Sequence, residues 1–303
     1  MEDFLNHASQ VHAYNYFGVL IVIALLECVV PRREPGDTLA LRWFGNAAMT
    51  VLGTIMVRTL FPIIGIAWAV LCHERGWGLL NQVSLPAIVE FGLTILALDV
   101  FVYAQHRLLH RVGFLWRLHR THHSDHDYDL TTGLRFHPLE MMFSTTMLLG
   151  ALVVLGGPPV AVFAWQLMST AINFIEHANV RVPERVDRVL RLVLVTPDMH
   201  RIHHSSAPGE SRSNFSNTFS WWDRLFGTYI DQPAAGHADM AFGVQGFEER
   251  KHQALPWMLV QPFLAEPELP SHEAAGSGGP AFAKASARKP PAGRPAGRRS
   301  ALP

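Results

Sequence analysis

Cysteine is nearly absent: two residues in 303, Cys28 and Cys72. Both sit in or beside apolar runs and read as inert thiols, and no Cys set has the spacing of an iron–sulfur cluster or a disulfide framework. Charge is scarce as well. Only 17% of residues are Asp, Glu, Lys or Arg, and the formal net charge is zero, which excludes a bulk attraction to nucleic acid. No glycine-rich fingerprint follows a strand pattern, so the chain carries no flavin or dinucleotide site of its own. HExxH, the helical zinc-protease motif, is also missing. Residues 1–15 are polar and acidic, with no basic stretch ahead of the first apolar run and no small-residue cleavage site after it. That argues against a cleaved secretory signal.

Apolar residues are plentiful, at 49%, and the mean hydropathy is positive. Such a balance fits a membrane protein. The runs Tyr16 to Val30, Phe44 to Cys72, Leu85 to Ala104, and the pair Leu139 to Leu155 and Pro159 to Ile175 predict an all-α, polytopic membrane protein of about four transmembrane helices. Pro62 and Arg58 leave open whether 44–72 is one kinked span or two shorter helices. Gly156-Gly157-Pro158 predicts a tight turn inside the last pair. Arg32, Arg33 and Arg42, and later Arg107, Arg111, Arg117, Arg120 and Arg135, mark the cytoplasmic side by the positive-inside rule, with the N-terminus outside. Expected boundaries are 1–84 for N-terminal membrane helices, 85–232 for a catalytic domain, 233–265 for an extension and 266–303 for a disordered basic tail.

Histidine is the enriched residue, with 17 copies. His106-x3-His110 is followed by His119-x2-His122-His123 and, further on, by His200-x2-His203-His204. In a helix, residues three and four apart share a face, so three short helical pieces present eight imidazoles. A lone buried histidine is ordinarily a hydrogen-bonded core residue, but burying eight without partners would be costly. Imidazole is the commonest metal ligand, and one ion takes about four to six ligands, so eight rings point to two metals. Hydropathy places all three clusters in a helical cap at the cytoplasmic ends of the spans. Asp99, in the last turns of the span before His106, is either salt-bridged to an arginine or holds a ligand ring in its tautomer.

The three clusters together resemble the eight-histidine signature of the fatty acid hydroxylase/sterol desaturase superfamily. The surroundings are similar too: Arg135-Phe136-His137-Pro138-Leu139-Glu140, Glu176-His177-Ala178-Asn179, Thr196-Pro197-Asp198-Met199-His200, and Trp222-Asp223-Arg224-Leu225-Phe226-Gly227-Thr228. The pattern departs at Ala104, Asp129 and Ser216. The resemblance covers about 95–229 and implies a non-haem di-iron oxidoreductase that uses O2 to hydroxylate or desaturate a lipid C–H position. It implies His177 as a ninth ligand and His137 as a candidate tenth, although Pro138 and Glu140 beside His137 also fit a structural turn. Asp99, Glu140, Glu176, Asn179 and Asp198 are candidates for holding ligand rings from behind. Electrons would come from a separate reductase or small electron-transfer protein. Competing readings are a zinc-dependent membrane hydrolase, a haem protein with His pairs across facing helices, and a catalytically idle lipid-binding homologue.

Overall fold

A computed structural model describes residues 2–36, 38–207 and 209–265; the expected tail from Glu266 lies outside the described residues. The described elements are helical, with isolated bridges and no strand among them. Helix α1 spans Glu2–Val29, α2 Leu39–Leu60, α3 Ile66–Glu74, α4 Ala87–Arg111, α5 Gly113–His123, α6 Pro138–Leu155 and α7 Pro159–Glu176. Short helices follow: α8 (Glu184–Leu190), α9 (Pro197–His203), α10 (Trp221–Leu225), α11 (Gly236–Asp239) and α12 (Leu255–Val260).

Among the described residues, three helices are long and apolar enough to cross a membrane: α1 over Leu5–Val29, α4, and α6. Their apolar side chains face outward, as Ile88 (78% exposed) and Val29 (76%) show. Such faces are unfavourable in water and suit lipid. Helices α2 and α7 fall outside that set, and each carries buried polar residues. Arg42 and Asn46 of α2 and Glu176 of α7 are buried. The stretch 44–72 is two helices. Helix α2 stops at Phe61, extended at φ −122° and ψ 91° ahead of Pro62, and α3 begins four residues later. Gly156 and Gly157 take φ of +70° and +101°, which a side chain would oppose, and so form the expected turn from α6 into α7. Helix α2 packs on α6, α1 on α7, and α4 on both α5 and α7. One apolar core cluster joins Leu98 of α4, Leu152 of α6 and Trp165 of α7.

Several arginines expected at the membrane surface are instead fully buried: Arg42, Arg120 and Arg135 are 0% exposed. The positive-inside rule says which side a cation is on, not whether it meets water. Arg42 pairs with Asp125 and with Asp129, the latter at 2.8 Å. Asp129 thus supplies the second negative charge. Asn46 donates to Thr131 Oγ1 at 3.0 Å, and Arg135 donates to Thr121 O at 2.7 Å and Gln253 Oε1 at 2.8 Å. Burial alone would raise the Asp125 carboxyl, but Arg42 and Arg135 outweigh it and hold it at about 2. This network ties α2, the end of α5 and the 3₁₀ turn Leu130–Leu134 into one polar core.

Removing one partner of a buried pair strands the other charge, at a cost of about 3–5 kcal/mol. Asp125→Ala is therefore expected to lower the thermal unfolding midpoint sharply in detergent. Glu184→Ala, which breaks the exposed Arg188–Glu184 pair, is expected to cost less than about 1 kcal/mol. Equal midpoints for the two variants would contradict this account of the polar core.

Candidate metal centre

The span α4 continues unbroken through the first histidine pair, so His106 and His110 stand one turn apart on its final turns. At Val112 the backbone leaves helical geometry (φ −95°, ψ 115°), and α5 turns back carrying His119, His122 and His123. Helix α9 starts at Pro197, whose missing N–H is harmless in the first turn. Its Thr196 side chain caps Met199 N at 3.3 Å, which fixes the start of the turn bearing His200, His203 and His204. His177 ends α7 as its C-cap residue.

Nine imidazoles meet in two groups. His106, His110, His119, His123 and His203 form one; His122, His177, His200 and His204 form the other. Within each group the ring nitrogens lie within 4.8 Å of one another. The i, i+4 pairs stay together (106/110, 119/123, 200/204), while His122 and His203 cross to the opposite group. Each HxxHH triplet therefore feeds both groups instead of presenting one face. Helical periodicity explains the split: four residues advance about 400°, only about 40° past a full turn, while adjacent residues diverge by about 100°.

Hydrogen bonds behind the rings fix how they point. Nδ1 of His106 meets Phe215 O at 2.8 Å, Nδ1 of His177 meets Asn173 O at 2.7 Å, and Nδ1 of His203 meets Ser213 O at 2.7 Å. A carbonyl only accepts, so these three Nδ1 atoms carry the proton and leave Nε2 as a lone pair. Nδ1 of His119 meets Glu140 Oε1 at 2.7 Å, with the same consequence for a neutral ring. The inward nitrogens then face one another: His106 Nε2 and His119 Nε2 are 3.1 Å apart, and His119 Nε2 and His123 Nε2 are 3.2 Å apart. Two lone pairs at that distance repel unless a proton or a cation lies among them. The buried Nε2 atoms of His110, His203 and His204, and both nitrogens of His200, have no hydrogen-bond partner. Burial holds His122, His123, His200 and His204 well below the usual imidazole range, with His177 pushed down to about 4 and His203 to about 3. These rings are neutral at pH 7, the form that binds metal. The all-nitrogen donor sets fit two metal ions.

Glu140 bonds the outer nitrogen of His119. Glu176 is buried beside the four-histidine group, but its oxygens stand 3.8 Å from His177 Nδ1 and 3.9 Å from His200 Nδ1, beyond hydrogen-bond reach. The other three expected residues work elsewhere. Asp99 accepts from Trp222 Nε1 at 2.7 Å and Phe219 N at 3.1 Å, so it anchors the aromatic segment instead of holding a ligand ring or pairing with an arginine. Asn179 bonds the Arg33 backbone from both amide atoms, and Asp198 pairs with Arg32 at 3.1 Å. His137 is not brought to either group. Its Nδ1 caps α6 at Leu139 N (3.2 Å) and its Nε2 meets Leu259 O (3.2 Å), so both nitrogens are engaged.

Sequence reasoning missed Phe136, which stacks on His122 with centroids 4.5 Å apart and planes at 15°. Its place beside His137 in the Arg135–Glu140 segment was the available signal. A cavity of about 340 Å³ opens onto both groups; Val102, Leu109, Met141 and Leu148 wall it, and His106, His119, His122, His177 and His200 reach into it.

The model of the fatty acid hydroxylase family matches residues 91–228. The chain is 30% identical over 269 residues to ornithine lipid hydroxylase OlsE of Rhizobium tropici, covering 82% of this chain and 74% of that protein. It is 30% identical over 250 residues to alkylglycerol monooxygenase of Xenopus tropicalis, covering 81% of this chain and 53% of that one. Methylsterol monooxygenase 1 of Rattus norvegicus is 28% identical over 140 residues, 45% of each chain. This chain thus spans about half the length of the last two. No solved structure matches.

Two outcomes test the geometry. His122→Ala is expected to lower bound metal, whereas His137→Ala should keep it and cost only about 1 kcal/mol of cap stability; equal metal loss in both would overturn the assignment. The folded-state pKa values of His177 and His203 lie below the unfolded value near 6.5. Their stabilising contribution is thus full above 6.5 and is lost as pH falls toward 4 and 3. The metal-free protein should show a falling unfolding midpoint across that window, and a flat profile would contradict the buried neutral rings.

Proposed function

The chain belongs to the fatty acid hydroxylase family, and from that premise we propose that it is a membrane-bound, di-iron oxidoreductase that uses O2 to hydroxylate or desaturate a C–H position of a lipid. One observation carries the reading: nine imidazoles in two groups, four of them with Nδ1 committed to a carbonyl or to Glu140, and inward Nε2 atoms facing one another at 3.1–3.2 Å. Such a preformed array costs folding energy unless cations occupy it.

In this reading His106, His110, His119, His123 and His203 hold one iron, and His122, His177, His200 and His204 the other. When bound, the iron pair supplies O2 activation and attack on an unactivated C–H bond. The chain supplies the rest. Phe215, Asn173 and Ser213 lend the carbonyls that set three tautomers, and Glu140 sets the fourth. Phe136 fixes the plane of His122. Val102, Leu109, Met141 and Leu148 exclude water from the cavity and align an alkyl chain against the rings. Leu148 lies eight residues beyond Glu140 on α6, or about 12 Å at 1.5 Å per residue, so the cavity follows the helix into the depth of the membrane. A lipid tail entering from the bilayer would take that route.

The relatives act, by their names, on an ornithine lipid, an alkylglycerol and a methylsterol. What carries over is the class, a lipid. By the positive-inside rule, Arg32 and Arg33 just past α1 support a histidine face on the cytoplasmic side with the N-terminus outside. Hydroxylation needs two electrons and two protons per O2, with one oxygen entering the C–H bond and the other leaving as water. A separate electron-transfer protein supplies those electrons.

The test is oxidation of a lipid extract by protein in nanodiscs with a chemical reductant and O2, read by mass spectrometry. Oxidised lipid should appear with iron, vanish on chelation and return with iron but not zinc. Hydrolysed lipid restored by zinc, with no oxidised product under any metal, would instead favour hydrolysis.

A further inference from the structure

Electrons have to reach the metal groups from outside, and the rings differ in how they meet the surface. Seven of the nine are buried; only His106 and His110 are half-buried. His106 faces the cavity that would hold the lipid. His110 does not line that cavity. It lines a second one, of about 290 Å³, together with Arg107, Arg111, Arg212, Phe215 and Thr228. His110 is thus the ring that connects the five-histidine group to a surface the lipid would leave free.

The chemistry around this second opening is of one sign. Three guanidiniums converge on it from the last turn of α4 and from the 3₁₀ turn Glu210–Arg212, and no carboxylate lines it. Arg111 and Arg212 are exposed. Among the described residues none of the three is paired with an acid; Arg107 instead lies over the Tyr103 ring, 5.7 Å from its centroid. The chain as a whole is neutral, so this is a local concentration of charge. Phe226, 47% exposed, stacks on Tyr103 at 5.2 Å and gives the rim an apolar contact beside the cations. Trp116 lies 5.0 Å from the His110 ring. A positive rim with an aromatic contact suits an acidic protein surface, which steering by opposite charge would bring in quickly.

We infer that the Arg107–Arg111–Arg212 face is the docking site of an acidic one-electron carrier protein, with electrons entering through His110. This rests on the di-iron reading above. The carrier is oxidised by one electron per encounter and the metal pair is reduced. Two encounters balance the two electrons that, with two protons, accompany insertion of one oxygen and release of the other as water.

The experiment is anaerobic stopped-flow reduction of the iron-loaded, nanodisc-embedded protein by reduced plant-type [2Fe–2S] ferredoxin, chosen as an acidic probe, beside reduction by dithionite. The Arg111→Glu/Arg212→Glu variant should be reduced by ferredoxin about tenfold or more slowly at low salt. The wild-type rate should fall with ionic strength, and dithionite should reduce both proteins alike. An unchanged ferredoxin rate in the variant overturns the proposal. So does a variant whose only loss is the thermal stabilisation given by anionic over neutral nanodiscs, which would make the cluster a lipid-headgroup clamp. Failure of dithionite to reduce the wild type would instead strike the di-iron reading itself.

Discussion

Everything in this protein depends on keeping a packed array of neutral imidazoles in place. Rings stripped of water repel one another where lone pairs meet, and each needs an outer partner to define its tautomer. The chain answers with backbone carbonyls at Phe215, Asn173 and Ser213 and a carboxylate at Glu140. These come from a loop, the last turn of α7, the end of the 3₁₀ turn Glu210–Arg212 that follows α9, and the first turn of α6. The helical bundle exists to hold those distant segments at one point.

A second buried polar system stands behind the first. Arg42, Asn46, Asp125, Asp129 and Arg135 link α2 to the segment that directly follows His123. Arg201, adjacent to His200, is fully buried and lies over the Tyr128 ring at 5.2 Å. Buried charge is a poor source of stability but is specific about geometry, because only one arrangement satisfies all its members. Here it fixes the exit of α5 and the entry to α6, and with them the orientation of His119, His122 and His123.

Much of the site was legible in the sequence because ligand spacing and helical period are both local. The three clusters follow from positions near one another in the chain, whereas His177 and Glu140 came from the resemblance of their segments to the family pattern. What was not legible depends on tertiary approach. The split of each HxxHH triplet between two groups needs the partner helices to be known. Asp99 was read toward the histidine that follows it, yet Trp222, far along the chain, takes it. His137 sits among ligands in sequence, yet its nitrogens close a helix cap and meet Leu259. Arg42 and Arg135 were read as surface cations because a sequence gives charge without depth. Helices α2 and α7 were read as apolar runs, yet they carry buried polar residues in Arg42, Asn46 and Glu176.

The central claim is that the two histidine groups hold one iron each. The direct measurement is metal content per chain in protein purified in detergent from cells supplied with iron. About two irons per chain is the expected result. One metal per chain, zinc that resists exchange, or a well-folded protein without metal would contradict it.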